Sequence, residues 1–323
     1  MSRNTITRTA RRGVRVALVL ALSAATVGLL NGAARKPRAK RDDPWFNGRN
    51  AFTFPVADGV PWPDTPDALA AAMARGYGRT AVLLPDGAAP VSVRGTTLRD
   101  VHALRVDLSN ASVDPDRKAA KVGRKAKAER SLHVRRLEFL AHSFTVRGAA
   151  MNLAMTALDC RLDLKRDKAG KPVLALGDLL DGRLEFSMPV RDIEMLLVES
   201  ARADGGALGF RVEDVDLDLE SVGPRTARGR MHVKTKLAFI GAGLHFTGRI
   251  DIDDDMNARV SDLACWGDDV LGPVVTGLIR PGLAKYNGKT RPIVRFGSDD
   301  VRLRDVALAA DDDHVRVTAS FGR

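Results

Sequence analysis

Cysteine is scarce, with only Cys160 and Cys265 in 323 residues. Neither belongs to a Cys-x-x-Cys pair, which excludes a redox dithiol motif and a zinc ribbon. The two read as small buried hydrophobes, with a single disulfide as the alternative in an oxidising compartment. Aromatics make up 5% of the chain, with two Tyr and three Trp, too few for the aromatic girdles of an outer-membrane barrel. The Gly-x-Ser-x-Gly turn that exposes a hydrolase serine is missing. His102, His133, His142, His232, His245 and His314 stand singly along the chain, not one helical turn apart with a glutamate as in zinc peptidases. Gly241-Ala242-Gly243 starts like a dinucleotide loop, but Phe246 occupies the third glycine position. The run Asp251, Asp253, Asp254, Asp255 and Asn257 has Met256 where a calcium loop needs glycine, and it reads as a hairpin turn. Asp311 to Asp313 reads as another. With no constellation of acid, base and nucleophile, the sequence points away from an enzyme, and it calls for no cofactor or metal.

Acidic residues are missing altogether from Met1 to Arg41, where ten Lys or Arg occur. Those ten account for almost all of the formal net charge of +11, because the rest of the chain carries 41 basic and 40 acidic residues. A nucleic-acid partner is therefore not expected: phosphate neutralisation requires the basic stripe on the folded surface. The basic residues bracket an apolar stretch, Val16 to Ala34, which is a membrane-targeting signature. About 19 residues at about 1.5 Å each just cross a hydrocarbon core of roughly 30 Å, so residues 1–41 are either an uncleaved anchor or a signal peptide. Either one places the remainder in the cell envelope, anchored in the inner membrane with the domain in the periplasm, or secreted to the periplasm.

Residues 42–64 carry Trp45, Phe46, Phe52, Phe54 and Trp62 among prolines and glycines, without strand or helix periodicity. This segment reads as a linker, its aromatics lying at headgroup level or packed back on the domain. A short helix follows, with an N-cap at Asp64 or Thr65 and Pro66 in its first turn. After Gly95 the dominant pattern is period-two alternation, as in Leu184, Phe186, Met188 and Val190, or Val215, Leu217 and Leu219. Such runs describe antiparallel strands with one apolar and one wet face. Helical spacing interrupts them at Val190–Ala201 and at Asp268–Lys285, where Pro281 kinks or ends the helix. The fold class is thus α+β and mostly antiparallel β, a long sheet burying its apolar face against a few helices in one domain over residues 65–323. Within it, residues 114–136 form a basic insertion with nine Lys or Arg against three acids, read as a solvated loop at one end of the sheet. The sharper reading lets Lys118, Lys121, Arg124, Lys125 and Lys127 touch anionic headgroups.

From about Leu98 onward, six stretches together carry a family likeness. They are PVRDIEMLLVESA (Pro189 to Ala201), the strands FRVEDVDLDLE and RGRMHVKTKLAFI, the helix DDVLGPVVTGLIRPGLAKY, and the final strands VRLRDVALAA and HVRVTASFG. Their order and pattern resemble the bacterial LmeA-like phospholipid-binding family, whose fold is similar to the tubular lipid-binding domains. The resemblance covers roughly two thirds of the chain; the basic insertion and the Pro-rich linker depart from it. It implies an exported domain whose curled sheet wraps long helices and encloses an apolar groove for acyl chains, with no catalytic residues. The partner expected is phospholipid or another acyl lipid. The candidate lining residues are Leu153, Met155, Leu162, Leu184, Phe186, Leu217, Leu219, Phe239, Phe246 and Ile250, with Leu196, Val274 and Leu278 from the helices. The rival expectation is a scaffolding envelope protein whose sheet is filled by its own side chains and which binds a protein partner. A continuous apolar cavity above about 300 Å³ favours the first and a packed interior the second.

Overall fold

The computed structural model describes residues 52–58, 62–80, 82–113, 126–167, 169–205, 210–237, 240–268, 272–284, 286–294 and 300–323. Side chains at 200–205, 210–211, 237, 240, 274–275, 278–279 and 281–282 are excepted. Val16–Ala34 and most of the aromatic linker lie outside the described residues, and so do Lys118, Lys121, Arg124, Lys125 and Phe239. Among the described residues no helix is long and apolar enough to cross a membrane.

The chain is β-rich with α-helices inserted, and most strand pairs are antiparallel. Where the alternation suggested a single domain, it divides into two compact units. The N-terminal unit holds the described residues up to Phe186 together with those of Val294–Asp305 and Thr318–Arg323; the C-terminal unit holds Ser187–Ile293 and Val306–Val317.

In the N-terminal unit the strands are β1 (Thr53–Pro55), β2 (Val82–Leu83), β3 (Val91–Thr97), β4 (Asp100–Asp107), β5 (Ser112–Val113), β6 (Arg130–Val146), β7 (Ala149–Arg166), β8 (Pro172–Asp178) and β9 (Asp181–Pro189). β6 and β7, of 17 and 18 residues, form a long hairpin whose alternate side chains, from Leu132 to Phe144 and from Met151 to Leu164, are buried. Helix α1 (Pro66–Tyr77) starts where the sequence placed it: Thr65 Oγ1 accepts the Ala68 N–H at 3.2 Å and Pro66 opens the first turn.

The linker is not free of strand, since β1 pairs with β8 and Phe54 and Phe52 are buried, their rings lying 6.3 Å from Phe139 and 6.5 Å from Phe321. Three apolar residues in five recover more free energy in the core than at the surface, and proline at a strand end costs the ladder nothing. The basic insertion is also shorter than read, because Arg130, Arg135 and Arg136 belong to β6, where Arg135 pairs with Asp100 at 2.7 Å and Arg136 with Glu138 at 2.6 Å. β4 and β6 run parallel. Parallel neighbours cannot be joined by a tight turn, so the chain needs the connecting residues 108–129, which include the remaining basic run.

The C-terminal unit contains α2 (Val190–Gly205), β10 (Phe210–Gly223), β11 (Thr226–Leu237), β12 (Ile240–Ile252), β13 (Asn257–Gly267), α3 (Gly272–Ala284) and β14 (Thr290–Pro292). These strands form an antiparallel meander in chain order, β10-β11-β12-β13-β14. α2 packs on β10, and α3 packs on β13 and β12. α3 continues past Pro281 to Ala284. The acidic run is a hairpin turn: the Met256 N–H donates to Asp253 O at 3.0 Å and the Asn257 N–H to Asp253 Oδ1 at 2.8 Å. β15 (Arg302–Ala310) and β16 (His314–Gly322) are joined by the Asp311 turn, whose carboxylate accepts the Asp313 and His314 N–H groups, and their tip, Val306–Val317, belongs to this unit. Cys160 and Cys265 are both buried and both free. Burial pushes the Cys160 thiol up to about 12 and raises that of Cys265.

Candidate functional site

One face of the meander in the C-terminal unit is apolar, and register sets its side chains in rows across the strands. Leu217 of β10, Met231 of β11 and Phe246 of β12 form the first row; Ala227 and Ile250 belong to the third. Between them lies the row Leu219, Gly229 and Gly248, in which two of three positions carry no side chain. Beyond Gly248 the row meets a bulge in β13, where Thr247 pairs with Ala264 and Arg249 with Ser261, leaving Asp262 and Leu263 opposite one residue. Asp262 takes a positive φ of 54° there. A bulge sharpens the local twist of the strand that carries it. The result is a trough floored by the bare backbone of Gly229 and Gly248, with Leu217, Met231 and Phe246 on one side and Ala227 and Ile250 on the other.

The β15–β16 tip supplies the other wall with Leu308, Ala309, Ala310 and Val315. It is tied down by hydrogen bonds at the β10–β11 turn: the Leu308 N–H donates to Pro224 O at 2.7 Å and the Ala310 N–H to Ser221 Oγ at 2.7 Å. The groove so formed is lined almost wholly by carbon and is partly open to solvent. Its cavity volume is about 50 Å³, counted as the space open to the centre of a water molecule, and the atom-free space between its walls and out to the mouth is about 640 Å³. The first figure is several times the roughly 10–15 Å³ that one water needs, yet the lining offers almost nothing to hydrogen-bond a water.

Of the residues expected to line an acyl-chain groove, Leu217, Leu219, Phe246 and Ile250 lie along this one. The other predicted residues whose side chains are described are not among its lining residues. Leu153, Met155, Leu162, Leu184 and Phe186 belong to the N-terminal unit and are buried in its core, 0–5% exposed. Alternation marks the buried face of a strand but cannot tell a face that packs on side chains from one that borders a void. Leu196 is buried on α2 and is not among the lining residues. The side chains of Val274 and Leu278 and all of Phe239 fall outside the described residues. Lys127 is exposed.

Met231, Gly229, Gly248 and the β15–β16 residues were missed from sequence. The paired glycines were the available signal, because a glycine inside a strand marks a place where something else approaches the backbone. A Cβ on Gly229 would meet only Leu219 Cδ2 at 3.1 Å and Asp218 O at 4.0 Å. The groove's edge strand is fixed by α2: the Leu217 N–H donates to Glu194 Oε1 at 2.7 Å. Burial raises the Glu194 carboxyl above its ordinary value, opposed by that hydrogen bond.

The histidines do not all stand singly. His232 and His245 are directly paired across β11 and β12, on the face of the sheet opposite the groove. Comparison of the chain with family models, curated proteins and solved structures gives no match.

Proposed function

We propose that the C-terminal unit holds an acyl chain in the groove between β10–β12 and the β15–β16 tip. In this reading the protein is a non-catalytic binder or carrier of phospholipid or another acyl lipid in the bacterial cell envelope. The observation that carries it is the glycine row: a strip of side-chain-free backbone, flanked by Leu217, Met231, Phe246 and Ile250, is open to an apolar guest. Each methylene removed from water contributes about 0.8 kcal/mol, so six of them supply about 5 kcal/mol before any headgroup contact. At about 50 Å³ the cavity falls short of the roughly 300 Å³ expected of an enclosed lipid site, and it suits a segment of chain lying in an open trough more than a lipid swallowed whole.

The resemblance to the LmeA-like family supports the same reading and carries with it the finer architecture of a long curled sheet on helices. The apolar segment Val16–Ala34 supports a location at the membrane, as an anchor or an export signal. Lys118, Lys121, Arg124, Lys125 and Lys127 are proposed as headgroup contacts, each contributing about 1 kcal/mol near an anionic surface. Native mass spectrometry of the full chain tests the proposal: copurified phospholipid is expected, and clean apoprotein that takes up no added lipid refutes it.

A second reading draws on the N-terminal unit, whose predicted lining residues are packed as core. A filled sheet there favours a scaffolding role with a protein partner for that unit, beside lipid binding in the other.

A further inference from the structure

The face of the meander opposite the groove carries chemistry that lipid binding does not use. Register sets Asp216 of β10, His232 of β11, His245 of β12 and Trp266 of β13 in one cross-strand row. Directly opposed residues have Cβ atoms about 4.5–5.5 Å apart, close enough for two imidazoles to share one ligand. The rings of His232 and His245 stack at 4.5 Å with an angle of 18° between them, and Trp266 stacks on the far side of His245 at 5.3 Å and 10°. Asp268, just past the end of β13, is held there by its N–H, which donates to Gly243 O at 3.3 Å, and its Oδ2 contacts His245 Nε2. One donor atom each from His232, His245 and Asp268 all lie within 4.8 Å of one another. Among the described residues this is the one group of histidine, cysteine and carboxylate donors so placed.

We propose that His232, His245 and Asp268 form a binding site for a divalent transition-metal ion of the zinc type. Two neutral imidazoles and a carboxylate match the ligands such ions take, whereas calcium and magnesium prefer oxygen alone. Zinc bonds to these donors at about 2.0–2.2 Å, which sets tetrahedral neighbours roughly 3.4 Å apart, so the present arrangement closes on an ion by side-chain rotation without moving a strand. The ion takes the place of the direct contact between His245 Nε2 and Asp268 Oδ2. Trp266 packs against His245 and limits how far that ring turns. The nearest lysine on this face, Lys234, has its charge met by Asp214 at 2.9 Å, while Asp216 adds a carboxylate beside His232. Three protein ligands leave a fourth position open, for water or for a group brought by a partner.

The test is calorimetric titration of the full chain, free of any polyhistidine tag, with Zn²⁺ in a non-chelating buffer, and with Trp266 fluorescence followed in parallel. One ion per chain is expected, with a fluorescence change at the same stoichiometry. His232→Ala, His245→Ala and Asp268→Asn are each expected to weaken binding at least about 10-fold, the lower end of what removal of even a supporting residue costs. Asp254→Asn, in the turn at the other end of β12, is expected to leave it unchanged. Should an alanine variant fail to fold, Asp268→Asn decides, since that side chain is 55% exposed and outside the strands. Absence of saturable binding at millimolar Zn²⁺ overturns the site, and so does undiminished binding in folded His232→Ala and Asp268→Asn.

Discussion

Filling the glycine row is the most direct challenge to the groove. Gly229→Leu places a Cβ where the only close atoms are the far end of the Leu219 side chain at 3.1 Å and Asp218 O at 4.0 Å. Leu219 can swing aside by a few tenths of an ångström, and leucine in place of glycine removes unfolded-chain entropy worth roughly 0.5–1 kcal/mol. Folding stability is therefore expected to hold or rise slightly. The new side chain occupies the trough with four carbons and excludes about four methylenes of any guest, a loss of about 3 kcal/mol at about 0.8 each. That corresponds to a Kd on the order of 100-fold weaker. The assay is displacement of a fluorescent fatty acid by phospholipid, run beside thermal unfolding of the same samples. A Gly229→Leu protein that melts like the parent and binds acyl chains as tightly refutes the trough as the binding site.

Two further outcomes bear on the scaffold. Asp163 is buried in the N-terminal unit, where it accepts the Ser131 hydroxyl at 2.8 Å and faces Arg161 at 3.2 Å and the buried Lys165 at 3.8 Å. Asp163→Ala strands Lys165 and is expected to cost about 3–5 kcal/mol in urea unfolding, while Asp163→Leu combined with Lys165→Met recovers most of that; a loss below about 1 kcal/mol for the single change contradicts the buried pair. Glu194, whose folded carboxyl is raised by burial, favours the folded state fully below its ordinary value near 4.5 and loses that contribution as pH rises through the folded value. Glu194→Gln keeps an acceptor for the Leu217 N–H and removes the titration, so from pH 4 to 7 the parent is expected to lose stability relative to the variant, and parallel urea midpoints across that range contradict the assignment.

Local chemistry was legible wherever a single segment carries its own instruction. Thr65 and Pro66 open α1 because a hydroxyl acceptor and a preset φ act within one turn. The acidic runs at Asp253 and Asp311 became turns because their carboxylates bond backbone N–H groups two to four residues on. Alternation named the buried parity of the long strands, so Leu217, Leu219, Phe246 and Ile250 were placed on the right face.

What neighbours that face was decided elsewhere. Leu153 and Phe246 share the same pattern in sequence, yet Leu153 is buried in a core and Phe246 borders a trough, because the difference lies in Gly229 on the adjacent strand, Gly248 on its own, and a hairpin some 60 residues away. The pairing of His232 with His245 likewise depends on strand register, which the hairpin between β11 and β12 sets and which no single position reveals. The chain's own order of residues thus determined which atoms shun water and where the backbone turns. Only the tertiary structure decided which of those surfaces fill one another and which leave a space or bring donors together, since both outcomes depend on residues far apart in the chain meeting at a fixed register.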